Sequence, residues 1–157
     1  MSVNKRPDEG LIAENRRARY DYEIDETLEC GIELVGSEVK SLRAKAVSFK
    51  DAYAIVKDDE LLLLGLQIDR WKNASTHVIV DPDRTRRLLA SKDEIERLKK
   101  RVQQRGFSLI PLKLYFKGPW AKILVGVGKG KTHEDKRDTI RRREADRDME
   151  RALHRRR

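Results

Sequence analysis

Phe107-Ser108-Leu109-Ile110-Pro111-Leu112-Lys113-Leu114-Tyr115-Phe116, then Lys117-Gly118-Pro119-Trp120, then Ala121-Lys122-Ile123-Leu124-Val125-Gly126-Val127-Gly128 is the stretch that decides the fold class. Two apolar runs flank a Gly-Pro turn signal and read as two strands. Upstream, Ala52 to Val56 and Leu61 to Ile68 repeat the arrangement around Lys57-Asp58-Asp59-Glu60, a polar tetrapeptide suited to a hairpin turn. Further back, Tyr20, Tyr22 and Ile24, and then Cys30, Ile32 and Leu34, alternate with the period of half-buried strands, and Gly31 marks a bulge or close approach. Three helices are expected between these six strands. Val39 and Leu42 are spaced for a short one from about Ser37 to Ala44. Asp83 is placed to cap a second over Arg84 to Ala90. Ser91 with Glu94 forms a capping box for a third over Lys92 to Gln104, with Ile95, Leu98 and Val102 as its inner stripe and Gly106 as its terminator. Short strands at regular turn spacing, with no strand-helix-strand rhythm, predict a mainly β fold, a small six-stranded barrel with about three helices.

The rest of the chain bounds what such a barrel does. At 157 residues it is one domain plus a tail. Lys and Arg number 36 against 27 Asp and Glu, a formal charge of +9, which points to a polyanionic partner and to nucleic acid first. Residues 129–157 hold 12 basic and 7 acidic residues, so this tail carries more than half of the net charge; alone it is expected to be disordered. Ala145, Met149 and Ala152 or Leu153 still fall at helical intervals in it, a latent amphipathic helix. Residues 1–14 are expected to be a flexible segment, with organised structure starting near Asn15. No apolar run approaches the roughly 20 residues that span a bilayer, no secretory leader is evident, and Cys30 is the single cysteine; a cytoplasmic protein without disulfides is expected.

Three clusters carry candidate chemistry. Asn15-Arg16-Arg17-Ala18-Arg19-Tyr20-Asp21-Tyr22 sets guanidinium forks for phosphate beside aromatic rings for unpaired bases. A solvated strand entry with core tyrosines fits the same composition. Lys40 and Arg43 share the outer side of the Ser37 to Ala44 helix and are placed to clamp a backbone, although an amphipathic surface helix has the same spacing. Ser75-Thr76-His77 and Arg84-Thr85-Arg86-Arg87 place basic groups at a loop and a helix start, where a charge run is also simply a solvated face. His77, His133 and His154 are dispersed, and no triad or zinc spacing occurs, so neither catalysis nor a metal is expected. Gly126 to Thr132 fails as a phosphate loop, because Gly130 follows Lys129 where a hydroxyl residue is required, and Val125 stands where the frame of Lys131 needs glycine. These glycines are expected to permit a bend between core and tail.

Taken together, Asn15-Arg16-Arg17-Ala18-Arg19, Glu38-Val39-Lys40-Ser41-Leu42-Arg43-Ala44, Ser75-Thr76-His77, Asp81-Pro82, Arg84-Thr85-Arg86 and Gly126 to Lys131 followed by Asp135-Lys136-Arg137 closely resemble the SsrA-binding protein family, small protein B, the bacterial tmRNA partner. The likeness runs in order from about residue 13 to 144. It implies an oligonucleotide-binding-type β-barrel over residues 15–128 and a non-enzymatic role in trans-translation, the rescue of ribosomes stalled on messages lacking a stop codon. By the resemblance the barrel grips the tRNA-like domain of tmRNA, and the tail enters the vacant mRNA channel near the decoding centre of the small subunit and becomes helical there. Elongation factor Tu with GTP would join through the tmRNA complex.

Carried over position by position, the resemblance makes Asn15, Arg17, Tyr22, Glu29, Lys40, Arg43, Ser75, His77 and Arg84 candidates for the RNA-facing set, with Leu89 packing behind it. Arg16, Arg19, Tyr20 and Arg86 join them from the clusters above. Gly130, Lys131, Asp135, Lys136, Arg137 and Arg141 match the ribosome-facing start of the tail. Three positions depart from the family pattern. Tyr20 stands where many relatives have His and keeps a stacking face without the imidazole donor, Glu134 stands at a common tail histidine with His133 one place earlier, and Ala145 replaces a frequent aromatic.

Overall fold

The computed structural model describes residues 10–71 and 80–155. In chain order these form β1 (Leu11–Glu14), α1 (Arg16–Asp21), β2 (Tyr22–Ile32), α2 (Gly36–Arg43), β3 (Val47–Ser48), β4 (Tyr53–Lys57), β5 (Glu60–Leu64), β6 (Gln67–Ile68), β7 (Arg86–Leu89), α3 (Lys92–Gln103), β8 (Phe107–Lys117), β9 (Trp120–Gly130) and α4 (His133–Arg155). The main sheet runs β1-β8-β4-β5-β7-β2-β9, and β9 pairs back onto β8. Six strands therefore close a ring, all antiparallel, with β1 added on β8. The ring encloses the apolar core: Leu61, Leu63, Leu88, Leu109, Leu114, Ile123, Val125 and Val127 are buried, and Leu98 of α3 is buried with them.

The ring has six strands, as expected, but their membership differs. The two N-terminal alternations are one eleven-residue strand, β2, with a bulge between Ile24 and Glu26. Leu61 to Ile68 divides at Gly65, which has φ +76 and packs so closely that a Cβ there would lie 2.1 Å from the Asp51 carbonyl oxygen. Its second half, β6, pairs with β3 in a separate ribbon. The expected helix over Arg84 to Ala90 is instead strand β7. Arg86 and Leu88 point inward and Arg87 and Leu89 outward, an alternation disguised because one inward residue is an arginine. Organised structure also begins earlier than Asn15, since β1 pairs with Lys113 to Tyr115 of β8 and buries Ile12. Two helices match the expectation: α2 spans Gly36–Arg43, and α3 is closed at Ser91 by the reciprocal bonds with Glu94. Helix α1 was not foreseen.

The expected hairpin turn is the two-residue Asp58-Asp59 turn, with φ of 51 and 59 matching the twist that two-residue hairpins need. Gly126 and Gly128 serve close approach within β9 rather than a bend. A Cβ on Gly128 would stand 2.6 Å from the Glu23 carbonyl oxygen, and one on Gly126 would stand 2.8 Å from the Leu112 side chain. Gly31 likewise lets Leu89 approach.

Glu38 on α2 is buried and locks that helix to β7. It accepts from Arg84 Nη2 at 2.5 Å, Arg86 Nε at 2.8 Å and the Val35 amide at 3.0 Å. Arg86 completes its donors on the carbonyls of Leu66 at 2.6 Å and Pro82 at 2.9 Å. Burial works to raise the Glu38 pKa, but Arg84, the Val35 amide and Arg86 outweigh it and hold the group below the ordinary carboxylate range.

Candidate RNA interface

Strand β8 sets the spacing of the interface. At its middle, the Asn15 side-chain nitrogen donates to the Pro111 carbonyl at 2.9 Å, the Asn15 amide donates to the Leu112 carbonyl at 2.7 Å, and Asn15 Oδ1 accepts from the Ala18 amide at 3.3 Å. Asn15 is thus committed to starting α1 and fixing it on the barrel. Ala18 is buried against Ile110 and Leu112, which turns Arg16, Arg17 and Arg19 to solvent. Arg17 keeps 83% of its side chain exposed while touching Asp21 at 3.3 Å. Six residues thus present three forked cations on a rigid base. Tyr22 is half-buried and, like Ile24 and Leu124, packs against the cluster of Ala18, Ile110 and Leu112, so its ring serves the base of this helix. The helix also walls a cavity of about 1010 Å³ that includes Phe49, Tyr53 and Phe107.

At the hairpin end of β8, Tyr115 points outward and donates a short hydrogen bond to Glu29, which also accepts from Lys117 Nζ at 3.3 Å. The Tyr115 hydroxyl first, and then Lys117, hold the Glu29 carboxyl below its ordinary range despite slight burial. Burial and the adjacent carboxylate push the Tyr115 phenol well above its own. On the core side of the same end, Phe116 lies 5.5 Å beneath the Arg43 guanidinium. Lys40 and Arg43 are both exposed on α2, as their spacing implies. They do not adjoin the α1 arginines. Leu112, under α1, and Phe116, under Arg43, stand four positions apart on β8, about 13 Å at the usual strand rise.

The remaining candidates divide. Arg86 is corrected: its side chain is 0% exposed and neutralised by Glu38, so it is closed to RNA and acts in the scaffold. Arg84 keeps 30% of its side chain exposed while paired with Glu38. Ser75 and His77 lie outside the described residues. Gly130 ends β9, and the Lys131 amide donates to the Asp21 carbonyl at 2.8 Å while its ammonium donates to the Arg19 carbonyl at 3.0 Å. Lys136 lies 3.5 Å from Asp21 and 5.5 Å from the Tyr20 ring, so the root of α4 sits on α1. Asp135 falls in the first turn of α4; Arg137 and Arg141 are exposed further along it, as are Ile140, Met149 and Leu153. Sequence reasoning passed over Tyr115, Lys117 and Trp120. Trp120 is 69% exposed at the tip of the β8–β9 hairpin, and the signal was a large aromatic beside a turn lysine.

Among the described residues no His, Cys, Asp and Glu group is placed to hold a metal ion, and no helix is long and apolar enough to cross a membrane. Comparison with known proteins gives a consistent picture. Residues 12–155 match the family model described as SmpB protein. An SsrA-binding protein of Synechocystis sp. is 49% identical over 145 residues, covering 92% of this chain and 94% of the relative. One from Myxococcus xanthus is 49% identical over 156 residues, covering 98% and 94%. A solved structure described as "tmRNA-SmpB: a journey to the center of the bacterial ribosome" superposes with a TM-score of 0.65 at 48% identity, covering 83% of this chain and 94% of that one. With residues 12–155 of its 157 matched by the family model and about half of its residues shared with such relatives, this chain belongs to the SmpB family.

Proposed function

We propose that this protein binds the tRNA-like domain of tmRNA, the SsrA RNA, and delivers it to stalled ribosomes for trans-translation, the rescue and peptide tagging that its family membership implies. The observation that carries this reading is α1: Asn15 and Ala18 fix a short helix on the barrel so that Arg16, Arg17 and Arg19 stand together in solvent. Guanidinium groups held on a rigid base take phosphates at little ordering cost. Lys40 and Arg43 on α2, with Arg43 over the Phe116 ring near the hairpin end of β8, supply a second contact on the same RNA. The folded shape of an RNA, rather than its sequence, is what two separated cationic points read.

Tail residues Lys131, Asp135, Lys136, Arg137 and Arg141 then face the ribosome, at the decoding centre and in the mRNA channel. In free solution self-repulsion among the tail cations opposes folding, and rRNA phosphates offset it, so helix α4 is stabilised on the ribosome. Elongation factor Tu with GTP accompanies the complex through the RNA. The protein acts in the cytoplasm as an adaptor, without catalysis and without a cofactor.

The RNA that co-purifies with the protein from a bacterial lysate tests this. One dominant species with a tRNA-like end and a short reading frame is expected. Equal recovery on all ribosomes, stalled or not, would instead indicate a structural ribosomal protein.

A further inference from the structure

Asp21 is the one carboxylate in the Asn15 to Tyr22 cluster, and two rules of charge count against it there. On a surface that takes phosphate it repels the ligand, and as the last residue of α1 it stands at the negative end of the helix dipole. What it holds offsets that cost. Asp21 Oδ2 lies 3.3 Å from Arg17 Nε within α1, whereas Oδ1 lies 3.5 Å from the Nζ of Lys136 at the root of α4. Lys136 also stands 5.5 Å from the Tyr20 ring. Lys131, between β9 and α4, donates its amide to the Asp21 carbonyl and its ammonium to the Arg19 carbonyl. Two tail lysines thus converge on the last three residues of α1.

We propose that Asp21 is a positioning residue for the tail: by holding Lys136 it fixes the angle between the helix that grips RNA and the helix that faces the ribosome. The inference rests on the function proposed above and supplies the link between its two halves. Three observations carry it. The Lys131 bonds end on backbone carbonyls, so they tether the root whatever side chain occupies position 21; the Asp21 carboxylate, with the Tyr20 ring beside it, ties the first turn of α4. Lys136 and Asp21 keep 30% and 28% of their side chains exposed, whereas the described side chains of α4 beyond Lys136 are exposed as far as Leu153, so the hold is concentrated at the root. Arg17 meets Asp21 through Nε and stays largely exposed, so this pairing leaves its fork to phosphate.

The length of α4 makes the angle matter. Nineteen residues follow Lys136 in the helix, about 28 Å at 1.5 Å per residue, so a tilt of about 20° at the root moves the far end by about 10 Å. A shift of nearly one helix diameter takes the tail out of line with the channel it enters.

The experiment uses the full chain and a transcribed tRNA-like domain of tmRNA. Spin labels go on Glu96→Cys of α3 and Asp138→Cys of α4, both exposed positions, while the native Cys30 is buried. With RNA bound, electron–electron double resonance should give a single narrow distance distribution in the labelled chain, and adding Asp21→Asn should broaden it. Reversing the pair as Asp21→Lys with Lys136→Asp should narrow it again, a rescue that a purely structural role of Asp21 within α1 does not produce. Without labels, Asp21→Asn keeps the carbonyl that receives Lys131 and removes a negative charge beside Arg17. Its RNA affinity should therefore equal or exceed that of the wild type. Its peptide tagging on stalled ribosomes should fall by about 1.5- to 5-fold, the range that an ion pair of this exposure is worth. Either an unbroadened distribution or unchanged tagging in Asp21→Asn overturns the proposal and leaves the RNA reading standing. Parallel loss of RNA affinity and tagging makes Asp21 part of the RNA grip and also overturns it. Failure of the wild type to bind this RNA overturns both.

Discussion

Replacing Glu38 tests the scaffold and the interface in one measurement. Glu38 is 4% exposed and Arg86 is 0% exposed, so Glu38→Ala leaves a guanidinium in the barrel with only the Leu66, Arg84 and Pro82 carbonyls to face. Breaking a buried pair by removing one partner costs about 3–5 kcal/mol. Against a total stability of about 5–15 kcal/mol for a domain, that is a fifth or more. At about 2–4 °C per kcal/mol for a chain of this size, the melting temperature should fall by roughly 6–20 °C. Urea melts followed by circular dichroism at pH 7 give the first number and thermal scans the second. A pH series fixes the cause. Glu38 titrates below its ordinary value in the folded state, so its contribution is complete above about pH 4.5 and is lost as the pH falls through the folded value. The gap between wild type and Glu38→Gln should therefore narrow on acidification below that point. Replacing Glu38 and Arg86 together by Leu and Met should recover most of the loss, because the uncompensated charge is then absent. A Glu38→Ala variant within about 0.5 kcal/mol of wild type at pH 7 would refute the reasoning, since surface changes have that size.

Three other outcomes follow from the same geometry. Arg17→Ala and Arg43→Ala should each reduce the salt slope of RNA binding by about 0.7 to 0.9 and, lying on separate helices α1 and α2, should add in the double variant; an unchanged slope places that residue off the RNA. A chain ending at Thr132 keeps β9 and the Lys131 amide bond to Asp21, so it should retain RNA affinity and lose peptide tagging on stalled ribosomes, while strong amide-exchange protection across 138–153 in the free full-length protein would show that α4 needs no ribosome. Gly128→Ala drives a Cβ to 2.6 Å from the Glu23 carbonyl oxygen and should destabilise the barrel by about 1–3 kcal/mol, measured by denaturant midpoint.

The strands that the sequence made legible are those whose inward positions are apolar. In β8 and β9 the run of Leu109, Leu114, Ile123, Val125 and Val127 reads directly as core, and the short helix carrying Lys40 and Arg43 reads from Val39 and Leu42. β7 did not read, because its inward pair is Arg86 and Leu88, and a guanidinium counts as surface until Glu38 is found beneath it. Helix α1 has one buried residue, Ala18, too little for any periodicity to register. For the same reason the Asn15 cluster was legible as RNA-like in composition, yet the division of labour within it was not. Asn15 positions the helix through Pro111, a residue 96 places away in sequence, while the arginines beside it face outward. Trp120 was counted as part of a turn, and exposure is a property of the tertiary arrangement that a turn signal does not carry.

The pairing of β2 with β9 also governs how this chain is made. Tyr22–Ile32 and Trp120–Gly130 are hydrogen-bonded neighbours at opposite ends of the barrel's sequence. After Ile32 leaves the synthetic machinery, nearly ninety residues follow before its partner strand begins, a wait of roughly 5 to 20 s at ordinary elongation rates. During that interval Leu28, Cys30 and Ile32 have a sheet edge but no ring, and such an edge is a template for mispairing with other chains. A product cut short before Trp120 cannot close its barrel. The integrity of this protein therefore depends on its own message being read through to β9.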